Sequence, residues 1–205
     1  MSPELPLGLP QLGQVQPLVF YPSENLLTKS LEVPAELVPS DGLHELTQNM
    51  TATMLMTGGV GISAIQIGVP WRVIAVGVDG EGNRLTESRV KVMVNPVVIE
   101  ASAEQVLLEE GCLSFPRVLE NIHRPEKVVV SYMNPDGEIA ELAADGWEAR
   151  CILHEVDHLD GVLFTERMPR VGRRLALKKM SKLSKAVRRD GAPKQKPKKK
   201  QRKRR

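Results

Sequence analysis

His154-Glu155-Val156-Asp157-His158-Leu159-Asp160-Gly161 is the stretch from which the rest of the chain is read. On a helix, His154 and His158 stand one turn apart on a common face. Two imidazoles at that spacing can grip one metal ion. Glu155, on the adjacent face, is placed to take a proton from a water that the metal activates. Asp145 and Glu148 form an Asp-x-x-Glu capping pattern ahead of the stretch, and Gly161 offers the left-handed residue on which helices often end. The bland alternative is a surface helix with scattered polar residues, because HExxH recurs by chance. A third ligand elsewhere in the chain decides between the two.

Outward from this helix, 205 residues suffice for one domain of ordinary size with a real core. Hydrophobic residues make up 41% and aromatics only 3%, so aliphatic side chains must fill most of that core. The formal charge of +3 hides a split, since residues 170–205 hold 18 of the 28 Lys and Arg and a single acid, Asp190. An acidic body therefore carries a strongly basic tail, and such tails meet nucleic acid or another polyanion. The N-terminus lacks the basic start and long apolar run of a signal peptide, and no stretch has membrane-spanning length. A cytoplasmic, reducing location is expected. There Cys112 and Cys151 read as thiols or metal ligands rather than as disulfide halves.

In chain order, residues 1–15 read as a flexible, proline-bearing arm. Glu24 to Val33 predicts a short helix stopped by Pro34. Ser40-Asp41-Gly42 caps a helix running to about Met56, with Leu43, Leu46, Met50 and Met54 on its apolar face. The run Gly58-Gly59-Val60-Gly61-Ile62-Ser63-Ala64-Ile65-Gln66-Ile67-Gly68 is too rich in glycine for ordinary core and suits close ligand approach. It follows a helix rather than a strand, and its spacing is wrong for a dinucleotide fingerprint. Gln66 is its one long polar side chain: either a satisfied amide in a turn or a donor to a substrate oxygen. Strands are predicted over Trp71–Val78, Val90–Val98, Val106–Leu108, Val128–Tyr132 and Glu138–Leu142. Gly80–Asn83 and Asn134–Gly137 read as turns, and Pro96 marks an edge or a bend. Cys112 sits on a polar, glycine-bearing segment, where a lone cysteine is either a small buried residue or the missing ligand. Residues 172–189 predict a second helix, with Leu175, Leu177, Met180, Leu183 and Val187 as its apolar stripe. Residues 190–205 read as a disordered basic tail. The order predicts an α+β chain, with mostly antiparallel strands around a central HExxH metal-binding helix and a basic C-terminal helix.

Three blocks together carry a resemblance. Gly59 to Gly68 resembles the GxGxAAxQxG motif of peptide deformylases. Glu110-Gly111-Cys112-Leu113-Ser114 is identical to that family's EGCLS motif. His154 to Gly161 matches its HExDHLxG motif, and Val162-Leu163-Phe164 is similar to its continuation. The likeness spans about residues 16–189, with a catalytic domain expected over 1–171.

The resemblance implies hydrolytic removal of the formyl group from formyl-methionine of newly made, formylated polypeptides during translation. It implies one divalent metal ion, typically ferrous iron in the cell, with zinc, nickel or cobalt able to replace it. The implied ligands are Cys112, His154 and His158, with Glu155 as the proton acceptor. Gln66 and the Leu113 backbone N–H are implied to hold the developing oxyanion. The substrate peptide would lie along Gly59, Val60 and Gly61, and family positions for the methionine pocket fall on Val60, Leu108, Trp147, Arg150 and Cys151. Trp147 would narrow that pocket, and Arg150 would line it with its aliphatic stem. Glu110 and Arg124 match a family ion pair supporting the cysteine loop. Some bacterial members dock such a helix on the ribosome near the exit tunnel, which here implicates Arg173, Arg174, Lys178, Lys179, Lys182 and Lys185. A monomer without a membrane partner is the expected state. Three departures, Leu153 for glutamine, Ser63 for alanine and Ile65 for proline or threonine, touch no implied ligand, base or donor. The competing readings are a metallopeptidase cutting internal bonds and a non-catalytic RNA-binding protein.

Overall fold

The computed structural model describes residues 13–77 and 86–190, with side chains through Lys182. Among the described residues, seven strands and three α-helices form two sheets and three apolar clusters. Strands β1 (Gly61–Ser63), β2 (Val73–Gly77), β3 (Val90–Ala101), β6 (Lys127–Met133) and β7 (Ile139–Asp145) make one antiparallel sheet in the order β1-β2-β3-β6-β7. Strands β4 (Gln105–Cys112) and β5 (Phe115–Pro125) form a separate antiparallel hairpin. The α+β expectation, with antiparallel strands, matches this architecture.

Helix α1 (Asp41–Thr57) begins where the sequence indicates, with the Ser40 hydroxyl accepting from the Leu43 N–H at 3.2 Å. It ends at Gly58, left-handed at φ +73. Helix α2 (Gly146–Leu159) carries HExxH on the opposite side of the sheet. β2 shows why: all its residues but Gly77 are buried, Val73 and Ala75 toward the α1 cluster, Ile74 and Val76 toward the α2 cluster. Alternation between two covered faces produces the unbroken apolar run seen in sequence. Each large aliphatic side chain so buried contributes on the order of 1.5–3 kcal/mol. A third cluster, with Leu26, Phe115, Ile122, Phe164, Ala176 and Met180, joins the hairpin to helix α3 (Arg170–Asp190).

Several local expectations change. Only Glu24–Leu27 is helical, as one 3-10 turn, because the next donors are claimed by distant carbonyls. Ser30 N–H donates to Leu159 O and Leu31 N–H to Pro70 O, both at 2.8 Å. Pro96 lies in a central strand rather than at an edge. A register shift between Val94 and Val97 takes it out of the ladder, with Asn95 at φ +50. Asp145 is the N-cap of α2, but its side chain makes no capping bond. On α3 the buried pair is Ala176 and Met180, while Leu175, expected in the stripe, is 59% exposed. Segment Phe115–Pro125, given no element in sequence, is a full strand. The Gly80–Asn83 turn, the end of the Trp71–Val78 strand, the arm before Gly13, the Lys185 side chain and the tail beyond Asp190 lie outside the described residues.

Candidate metal centre

α2 presents His154 and His158 toward the turn end of the β4–β5 hairpin, where Cys112 closes β4. The three ligand atoms lie within 4.8 Å of one another, and the Cys112 Sγ is 3.2 Å from His158 Nε2. His154 Nδ1 is 3.0 Å from Glu110 Oε2 and so is committed to that carboxylate, leaving Nε2 as the nitrogen available to a metal ion. His158 and His154 rings sit edge to face at 5.2 Å, with Phe164 backing His154 at 5.9 Å.

The electrostatics suit a cation. Burial pushes His154 down, but the Cys112 thiol and the Glu110 carboxylate outweigh it and raise it to about 10. Burial, then the neighbouring His154, pushes His158 well below its usual value, which keeps it in the neutral form a ligand needs. A pocket that stabilises positive charge beside one thiol and two imidazoles fits a divalent transition metal.

A buried charge network stands behind the ligands. Arg124 grips Glu110 through Nε (2.7 Å) and a terminal nitrogen (3.0 Å) and reaches Asp157 Oδ2 at 2.8 Å. Burial raises the Glu110 carboxyl, but hydrogen bonds from His154 and Arg124 overcome this and bring it to about 2. Asp157 also accepts from Arg167 at 2.5 Å. Asp157 and Arg167 were given no role in sequence, although a buried acid inside HExDH, one turn from His154, was a usable signal.

Glu155 lies 4% exposed beside the centre, its Oε2 without a partner among the described residues. Burial pushes its carboxyl up to about 7, against the lowering pull of His154. Gln66 is fully buried, and Ser63 fixes its orientation: Oε1 accepts from the Ser63 N–H (2.9 Å) and hydroxyl (3.1 Å). Its amide N–H group therefore faces the other way, toward Ser114 Oγ (3.2 Å) and Cys112 Sγ (3.5 Å). Ser63, a departure from the expected alanine, supplies one of these bonds.

A cleft of about 300 Å³ opens over Glu155 and Cys112, with Gln66 buried behind its lining. Gly59, Val60, Gly61, Cys112, Leu113, Trp147, Cys151, His154 and Glu155 line it, with Glu110 in its wall. β1 is an edge strand, so its outer side borders the cleft. Two expected pocket residues do not line it. Leu108 stands two residues back from Glu110 on β4 and is 43% exposed. Arg150 is drawn away to Glu110 and to two main-chain carbonyls. Phe115, Arg117, Val118 and Leu119 of β5 line the cleft instead, from a segment for which no element is expected. Arg173, Arg174, Lys178, Lys179 and Lys182 are exposed on α3, with Arg173 3.7 Å from Glu166.

Fold and site define a mixed α+β protein in which Cys112, His154 and His158 converge as a cluster that could hold a metal ion. The profile of the polypeptide deformylase family matches residues 15–174. A peptide deformylase of Maricaulis maris is 40% identical over 166 residues, covering 81% of this chain and 93% of its own. Among solved structures, a peptide deformylase from Ehrlichia chaffeensis is 30% identical with a TM-score of 0.76, covering 84% of this chain and 98% of that one. A class I type b peptide deformylase from Acinetobacter baumannii with Met-Ala-Ser bound is 40% identical, TM-score 0.71, covering 75% and 98%. The chain belongs to the polypeptide deformylase family, metal-dependent enzymes that remove the N-terminal formyl group from newly made polypeptides.

Proposed function

We propose that this chain hydrolyses the formyl group of formyl-methionyl polypeptides at the site formed by Cys112, His154 and His158. The observation that carries the reading is their convergence beside Glu155, whose Oε2 is buried and unpartnered at the head of the cleft. Cys112 Sγ and the two imidazoles would hold a divalent ion, which would supply Lewis-acid chemistry at the site. Glu155 accepts the proton of the attacking water and returns it to the leaving amine. Burial raises its carboxyl, the direction that favours holding the proton between the two transfers. Gln66 offers its amide N–H, and Leu113 its backbone N–H, to the charge developing on the formyl oxygen. Removing one such donor costs on the order of 3 kcal/mol of barrier.

The peptide binds as an added strand along Gly59, Val60 and Gly61, the segment that leads into the edge strand β1. Its methionine side chain packs against Val60, Trp147 and Cys151 together with Val118 and Leu119. Ferrous iron is proposed as the resident ion, with zinc, nickel or cobalt as substitutes. Arg173, Arg174, Lys178, Lys179, Lys182 and Lys185 are proposed to meet ribosomal RNA near the exit tunnel, placing a monomeric enzyme in the cytoplasm with its substrate. No described helix is long and apolar enough to cross a membrane.

Formate release from formyl-Met-Ala-Ser, compared with Glu155→Ala and with unformylated Met-Ala-Ser, tests the reading. Formate from the first alone, with loss of about 10²–10⁴-fold in the variant, supports it. Cleavage of an internal bond in either peptide contradicts it.

A further inference from the structure

The ligand atoms come from two separate elements. Cys112 ends β4, while His154 and His158 ride on α2. Their meeting depends on how the hairpin is held against the helix. Arg150 lies one turn before His154 on α2 and is 3% exposed. One terminal nitrogen donates to Glu110 Oε1 at 2.5 Å and to Ile122 O at 2.9 Å, and the other donates to Val106 O at 2.6 Å. These acceptors lie on both strands of the hairpin, Val106 and Glu110 on β4 and Ile122 on β5. A planar guanidinium fork can serve all three at once.

We infer that Arg150 is a positioning residue: it locks the cysteine-bearing hairpin onto the histidine-bearing helix and so sets how tightly the centre holds its metal. The inference rests on the ligand assignment proposed above. Arg150 works through Glu110, whose second oxygen meets His154 Nδ1. Arg124 holds the same carboxylate from within the hairpin. Removing Arg150 strips one charge-assisted bond from Oε1 and the side-chain donor from the Val106 and Ile122 carbonyls. The carboxylate is then free to rotate, and the hairpin to shift by a fraction of an ångström. Sulfur and rings lose their common focus before the fold is lost. The same contacts explain why a charged residue stands where the family resemblance leads one to expect pocket lining.

The test uses the full-length chain stripped of metal and titrated with Co²⁺ against a competing chelator. Wild type should bind one equivalent with a thiolate-to-cobalt absorption band, and Cys112→Ser should lose the band. A wild type without that band sinks the ligand assignment itself, whatever Arg150 does. With the band present, Arg150→Met should bind about 10–100-fold more weakly, as loss of groups that orient ligands does elsewhere. Arg150→Lys should remain at least about threefold weaker than wild type, because one ammonium cannot serve three acceptors. Ile152→Ala, a core truncation on the same helix outside the charge network, controls for stability. It should lower the melting temperature and leave cobalt affinity within about twofold of wild type. Affinity within about twofold of wild type in Arg150→Met overturns the inference, as does equal weakening in Ile152→Ala. If the methionine variant does not fold, Arg150→Lys decides alone, and affinity within about twofold of wild type overturns it.

Discussion

At the scale of single residues, glycine and two acids carry the argument. A Cβ on Gly61 would stand 2.5 Å from Glu155 Oε1 and 2.6 Å from Cys151 Sγ, so this glycine exists to let the carboxylate in. Gly61→Ala should keep the fold and lower formate release by about 10²-fold or more, because it displaces the proton acceptor. Wild-type turnover in that variant would place Glu155 elsewhere. Glu110 makes a pH prediction. Its folded value of about 2 lies below the usual 4.5, so the unfolded chain binds more protons between those values. Its stabilisation is therefore full above about pH 4.5 and is lost as pH falls toward about 2. Acid unfolding followed by circular dichroism should show a shallower loss of stability over that window in Glu110→Gln, from a lower starting stability at neutral pH. The residue roles were legible where spacing carried them, as for His154 and His158. Arg150 was not, because its destination depends on which buried carboxylate the fold brings near it.

At the scale of elements, the hairpin and α3 are where sequence and structure part. β5 is hard to read in sequence because its buried positions, Phe115, Val118, Ile122 and Arg124, hold a period of two only after Arg117 and end on a charged residue. A register shift at Gly111/Cys112 and a left-handed Arg117 at φ +64 break the period of two. α1 was fully legible, because its cap, apolar face and terminal glycine are all local signals. The basic residues of α3 suggest a helix for docking, yet Ala176 and Met180 are buried with Phe115 and Phe164, and Phe164 backs His154. Deleting residues 172–205 should therefore impair hydrolysis of short peptides and lower the melting temperature, contrary to what the basic composition alone suggests. Met180→Ala should cost about 2–5 kcal/mol in denaturant unfolding. A value near zero would mean that α3 does not share the core.

At the scale of the whole molecule, an acidic body and a basic C-terminal end make association with a polyanion sensitive to salt. Charge reversal on exposed faces, Arg174→Glu with Lys178→Glu and Lys182→Glu, spares the buried pair and isolates that question. Cosedimentation with ribosomes should fall in the triple variant and with rising salt, while formyl-peptide hydrolysis stays at the wild-type rate. Equal cosedimentation would remove the ribosome from the account. The α+β class followed from the order of helices and aliphatic strands, whereas the placing of α1 and α2 on opposite faces of the sheet is seen only in the packing. The meeting of residues 112, 154 and 158 did not follow from any run, since it joins a hairpin to a helix 42 residues on. X-ray absorption at the edge of the bound metal tests that meeting most directly. One sulfur at about 2.3 Å with two imidazole nitrogens at about 2.0–2.1 Å, and no sulfur in Cys112→Ser, is the predicted result. A first coordination shell of nitrogen and oxygen alone in the wild-type protein would contradict it.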